Sequence, residues 1–109
     1  MSKYKASQDA IAALHIADCP AELDAELNHC GIYPYEFAQA ARENCAVYLD
    51  EIQPGADHID HIGVAEVTLE AMLVENDTCE HWSGKDECWD ALHAWCKLIC
   101  DTYWSEVNG

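Results

Sequence analysis

After residue 5 this chain has almost no positive charge. Lys3 and Lys5 stand at its start, and only Arg42, Lys85 and Lys97 follow, against 21 Asp and Glu, for a formal net charge of -16 on 109 residues. The shortage excludes direct binding of DNA or RNA, because phosphate contacts need Lys and Arg. Long hydrophobic runs are missing too. The longest uncharged stretches, 10–17 and 27–35, fall far short of the roughly 18 to 20 residues that span a bilayer. No leader is recognisable at the start: Gln8 and Asp9 precede the first apolar run, His15 interrupts it, and no small-x-small cleavage pattern follows. The expected setting is therefore the cytoplasm, with no membrane partner. A Gly-rich phosphate loop, a G-x-S-x-G elbow and an H-E-x-x-H pair are all absent. A Cys nucleophile would be blunted by acidic surroundings, which raise a thiol's pKa. No catalytic residue and no enzyme activity are expected.

What is present belongs to a folded body. Half of the residues, 50%, are apolar, and four Trp, five Tyr and one Phe supply bulky core material, unlike a disordered acidic tail. The length suits one domain over 1–109, with 1–6 as a flexible tail. No repeat, low-complexity tract or linker divides it. The carboxylates never run five together, so they read as an acidic coat.

Helix signals recur from end to end, and no segment alternates apolar and polar residues long enough for a strand. A first helix is expected from near Ser7, carrying Ile11, Leu14 and Ala17 or Asp18, and ended by Pro20. Pro20 then fits the first position of a second helix capped by Asp18 or Cys19, with Leu23, Leu27 and Cys30 on one face and Gly31 as its stop. A third runs from Pro34 to about Gln53, its stripe Phe37, Ala41, Cys45, Tyr48 and Ile52. A fourth covers about Asp57 to Asn76 with Ile62, Ala65, Leu69, Met72 and Leu73 inward. Asp77 to Glu80 suits one extra turn. In the last helix Ser83 and Asp86 resemble a capping box, followed by Trp89, Leu92, Cys96, Ile99 and Tyr103. The expected fold is all-α, a compact bundle of four to six helices. Its core should hold Leu14, Leu27, Phe37, Cys45, Tyr48, Leu69, Leu92, Cys96 and Ile99. Trp89, Trp95, Trp104, Leu98 and Ile99 cover more than one stripe of the last helix. Such a helix is either central or shared with a second copy, and we favour a homodimer.

The charge has an expected use, since self-repulsion of this size destabilises a compact state. Glu36, Glu43 and Asp50 recur every seven residues, which on an unbroken helix places them on one side, about 10 Å apart. Glu22/Glu26, Glu66/Glu70 and Asp86/Asp90 are closer pairs, about 6 Å apart. Duplex DNA carries one charge per roughly 1.7 Å of axis, so these rows have comparable geometry at lower density. Ordinary soluble surfaces mix both signs, and like-charge pairs one turn apart cost a few tenths of a kcal/mol each. The surface is therefore expected to face a partner: a basic nucleic-acid-binding protein or complex. Glu36, Glu43 and Asp50 are the first row of contacts and Glu66 and Glu70 the second, with Tyr33 and Tyr35 as apolar anchors, since charge alone mainly steers encounter.

In length, charge and helical pattern the whole chain resembles the small acidic counter-defence proteins of phages, namely antirestriction DNA mimics and some anti-CRISPR proteins. It is similar in the same way to bacteriocin immunity proteins, small acidic helical domains that neutralise a basic nuclease. The resemblance implies an inhibitor that occupies a cationic groove. No motif carries it, so no family residue is transferred. The chain departs from such proteins in its abundance of Cys and His.

Seven Cys and six His leave a metal-binding or redox protein open as an alternative, and a passive acidic subunit of an assembly as another. Cys79, His81, Cys88, His93, Cys96 and Cys100 form the densest group, yet none matches the C-x2-C pairs of zinc sites. Cys96 also falls on the apolar stripe, where a buried thiol is the ordinary state. His58 and His61 with Asp57 and Asp60 suit an acidic helix start. Glu26-x2-His29 and Asp90-x2-His93 are half of a di-iron pattern, with His29 at a helix end. Reduced, largely buried thiols and no cofactor or stoichiometric metal are expected.

Overall fold

The computed structural model describes residues 19–108. The helix expected from Ser7, with Leu14, and the tail 1–6 lie outside the described residues. Four α-helices follow in order: α1 (Ala21–His29), α2 (Pro34–Val47), α3 (His61–Asn76) and α4 (Asp86–Asn108), with no strand among the described residues. This is an all-α bundle. The long α4 packs against each of the other three, and α3 packs against both α2 and α4.

The first helix closes as its sequence indicates. Gly31 takes a left-handed φ of 75°, Ile32 N–H reaches back to Leu27 O at 2.8 Å and Gly31 N–H to Asn28 O at 3.0 Å. This is a Schellman stop, whose apolar partners Leu27 and Ile32 are both buried. At its start Pro20 is the N-cap rather than the first helical residue, and its carbonyl accepts from Asp24 N–H at 2.8 Å.

Pro34 opens α2 at its first turn, where a missing N–H costs nothing. Phe37, Ala38, Ala41 and Cys45 are buried. The helix does not continue in register to Gln53, because Tyr48–Ile52 form a π turn closed by Gln53 N–H to Tyr48 O at 2.7 Å. The wider turn takes the following residues out of the 3.6-residue stripe. Ile52 is consequently 58% exposed, and Tyr48, at the head of the turn, is half-buried against the core, so neither is the fully buried core residue its spacing suggested.

A second correction concerns the start of α3, which lies at His61 rather than near Asp57. The Gln53 side-chain amide donates to His58 O at 2.7 Å and accepts from Asp60 N–H at 2.8 Å. That clasp holds the loop outside the helix and lets Ile59 bury. Asp60 caps the helix, its Oδ1 accepting from Gly63 N–H at 3.1 Å. Val64, Ala65, Thr68, Leu69 and Leu73 then face inward, while Ile62, expected inside, is exposed. The buried Thr68 hydroxyl accepts from Asn44 Nδ2 at 2.8 Å, which satisfies the polar group between α2 and α3. Asp77 ends the helix in a left-handed conformation, and Thr78 Oγ1 donates to Cys30 O at 2.7 Å, tying this end to α1.

The extra turn forms as a short 3-10 segment, Cys79–His81. The expected capping box does not form. Lys85 O accepts the first bonds of α4, from Cys88 and Trp89, whereas the Ser83 hydroxyl faces Lys85 N–H and Cys88 Sγ. Leu92, Trp95, Cys96, Ile99 and Cys100 are buried on α4. Between α2 and α4, Phe37 stacks on Trp95 with ring centroids 5.7 Å apart. Arg42 grips Glu106 through two bonds of 2.9 and 2.7 Å and lies over the Tyr103 ring.

Gly63 is the position where backbone and cap meet most closely. A methyl group there would stand 2.6 Å from Tyr48 Oη and 2.7 Å from Asp60 Oδ2. Gly to Ala inside a helix ordinarily stabilises by roughly 1 kcal/mol, but overpacking costs about 1–3 kcal/mol. Gly63→Ala should therefore lower the urea midpoint; a raised midpoint would show that Tyr48 and the cap yield freely.

Candidate functional site

The carboxylates of the first row sit on α2 and its π extension. Glu36 is half-buried in the first turn of α2, and Glu43 and Asp50 are exposed. The seven-residue alignment of Glu36 with Glu43 lies wholly in α-helix. Asp50 lies beyond the point where the period changes, inside Tyr48–Ile52, so the even spacing of the row stops at Glu43. Tyr33 is the N-cap residue of α2 and is 52% exposed. It stacks with half-buried Tyr35, ring centroids 5.8 Å apart, which sets an aromatic pair beside the Glu36 end of the row.

The second pair, Glu66 and Glu70, is exposed on α3 and has a setting that spacing alone did not disclose. Both line a cavity of about 320 Å³ with Leu69, Leu73, Cys79, Trp82 and Trp89. Trp82 and Trp89 meet edge to face, 5.3 Å between centroids and 72° between planes. The sequence signal is two Trp seven residues apart around Ser83-Gly84; the helical stripe of α4 includes Trp89 but carries no information on Trp82, which precedes the helix. Neither Glu66 nor Glu70 forms an ion pair among the described residues.

Charge on the described surface is close to single-signed. Arg42 is committed to Glu106 and Lys97 to Asp101 at 2.8 Å, leaving Lys85 as the one Lys or Arg without an ion pair among the described residues.

The Cys and His residues are dispersed. Cys79 and His81 are exposed on the 3-10 turn, Cys88 and His93 are half-buried, and Cys96 and Cys100 lie in the core. His81 lies against His29 at 5.4 Å and His93 against Trp89 at 5.7 Å. Among the described residues two polar atoms are buried without a partner, Trp82 Nε1 and His93 Nε2. His58 pairs with Asp57 at 2.8 Å on the surface, and the hydrogen bond from that ring holds the Asp57 carboxyl below its usual value. Among the described residues no group of three or more His, Cys, Asp or Glu is arranged to hold a metal ion.

The core thiols do bring one unexpected pair together. Cys45 and Cys100 stand 3.4 Å apart, sulfur to sulfur, well beyond the roughly 2.05 Å of a disulfide, and all described cysteines are free. The bond with Cys100, then burial, push the Cys45 thiol far above its ordinary value. Cys100 is drawn down by Cys45 but raised further by its bond with Cys96 and by burial. Burial, with Asp24 and Glu22 nearby, pushes Cys19 up to about 12. Thiols raised in this way stay protonated at neutral pH, the less nucleophilic form.

No family model, curated protein or solved structure matches this chain.

A pH dependence follows from the thiols. The unfolded chain ionises them near the ordinary 9.0, whereas folded Cys19 holds its proton to about 12. The stabilisation is complete below the first value and is lost as pH rises through the second. Denaturation midpoints should accordingly fall above pH 9, in step with thiolate absorbance. At neutral pH iodoacetamide should modify exposed Cys79 and spare Cys30, Cys45, Cys96 and Cys100 until denaturant is added. Rapid labelling of all of them in the native protein would contradict the buried-thiol core.

Proposed function

We propose that this protein is an acidic inhibitor that neutralises a basic nucleic-acid-binding protein or complex by occupying its cationic groove, in the manner of phage anti-CRISPR and antirestriction proteins. The observation that carries the proposal is the nearly unmixed sign of the surface. A chain with a net charge of -16 also pairs Arg42 and Lys97 with its own carboxylates, so it offers an incoming groove carboxylates with little cationic interruption. A field of one sign raises encounter rates with an oppositely charged cleft and discriminates against other partners. The first contacts are Glu36, Glu43 and Asp50, with Glu66 and Glu70 as the second group. Tyr33 and Tyr35 supply aromatic area at the Glu36 end, where fixed apolar contact adds affinity that screened charges do not.

Capture from a lysate at low salt should retain a DNA- or RNA-binding protein that is released as salt rises and is displaced by added nucleic acid. Reversing Glu36, Glu43 and Asp50 together to Lys should weaken that capture by on the order of tenfold or more, with the helical circular dichroism unchanged. Because the π turn interrupts the row, the Glu36/Glu43 pair should account for more of the loss than Asp50 alone. Undiminished capture by the triple variant would exclude this row, and failure to retain any basic partner would exclude the proposal.

A further inference from the structure

The geometry points to the cavity between α3 and the start of α4 as a receptor for an arginine side chain, its guanidinium set against Trp82 and Trp89 and paired with Glu66 and Glu70. The site rests on the proposed function for the source of that arginine, the basic partner.

Four features of the cavity select this ligand. Its volume of about 320 Å³ stands at the low end of the roughly 300–1,000 Å³ of small-molecule sites, which leaves room for an arginine side chain. Its lining includes the buried Leu69 and Leu73, so a methylene stem is accommodated where a fully hydrated ion is not. Trp82 and Trp89 both line it and stand at 72° to each other, so a planar cation can stack on one ring while meeting the other. Attraction of a cation to an indole ring extends to about 6 Å from its centroid, and Trp is the best of the aromatic partners. The fourth feature is the acid pair. Glu66 and Glu70 are one helical turn apart on the cavity wall and have no ion pair among the described residues.

The same features reject the alternatives. An anion would meet two carboxylates in a protein of net charge -16. A neutral apolar group would meet Leu69 and Leu73 and leave the acids unanswered. An ammonium group would satisfy the acids but is more strongly hydrated and lacks the flat face and fivefold donor fork of guanidinium, which serves two carboxylates and an aromatic wall at once. In a cationic groove, the residue most often directed at phosphate is also arginine. A mimic that accepts one such residue in a fitted cavity would gain the specificity that a diffuse acidic row does not provide.

The test uses the whole protein and heteronuclear NMR of the Trp indole N–H signals, titrated with N-acetyl arginine amide and with its lysine and citrulline counterparts. Arginine amide should move the Trp82 and Trp89 signals saturably, with millimolar affinity, and leave that of buried Trp95 in place. Citrulline amide, of the same shape without the charge, should not move them, and lysine amide should bind more weakly. Glu66→Gln with Glu70→Gln, both on the exposed face of α3, should weaken arginine amide binding about tenfold without altering the rest of the spectrum. Equal response to citrulline amide, equal affinity for lysine amide, or an unaffected double variant would each overturn the assignment. If arginine amide binds but no basic macromolecule is captured, the cavity assignment stands and the inhibitor proposal fails. If a basic partner is captured and arginine amide leaves both indoles unmoved, the reverse holds.

Discussion

Burial of one face of α4 is the constraint on which the rest of the molecule depends. A chain with net charge -16 repels itself wherever it is compact, and something short-ranged must oppose that. Leu92, Trp95, Cys96, Ile99 and Cys100 are removed from water by α1, α2 and α3 together. A fully buried Leu, Ile or Phe contributes about 1.5–3 kcal/mol, whereas a like-charge pair one turn apart on a helix costs a few tenths. A modest number of buried side chains thus outweighs the exposed acid pairs, provided the acids stay in water. No Asp or Glu among the described residues is fully buried, and Thr68 is the one fully buried polar residue among them.

The composition of that core explains how helices approach closely in so small a domain. Ala38, Ala41 and Cys45 on α2 are small, and so are Cys96 and Cys100 on α4. Where α2 meets α4, thiol faces thiol at Cys45 and Cys100, and the one large flat contact is Phe37 on Trp95. Abundant cysteine therefore has a packing role here, since free Cys behaves as a small hydrophobe. Outside that seam the Arg42–Glu106 clasp over the Tyr103 ring joins the same two helices. It withdraws one of the few cations from the outer surface.

The loop between α2 and α3 connects packing to surface display. A π turn, the Gln53 clasp and the Asp60 cap act in sequence over Tyr48–Gly63. Together they bury Ile59, leave Ile52 exposed, and set the rotation at which α3 presents Glu66 and Glu70. The short 3-10 turn after α3 then brings Trp82 against Trp89 beside those acids. An acid pair that is unremarkable on a helical wheel becomes the wall of an aromatic cavity through these junctions.

Local chemistry was legible in the sequence. The 3.6-residue stripes placed Leu23, Leu27, Phe37, Cys45, Leu69, Leu92, Cys96 and Ile99 in the core. Gly31 marked a stop because only the left-handed conformation completes a Schellman turn there, and Pro34 marked a start because its absent N–H is needed by no carbonyl. The single sign of the charge was likewise evident, being a sum over residues. Tertiary structure decided what depends on neighbours distant in the chain. The faces of Ile52 and Ile62 were set by the π turn and the late start of α3, and Ser83 was drawn away from its expected cap by contacts to Lys85, Cys88 and Glu26. The cavity of Glu66, Glu70, Trp82 and Trp89 needs two helices and a turn to converge. Helical period fixes which residues share a side of one helix, but only packing determines what stands opposite them.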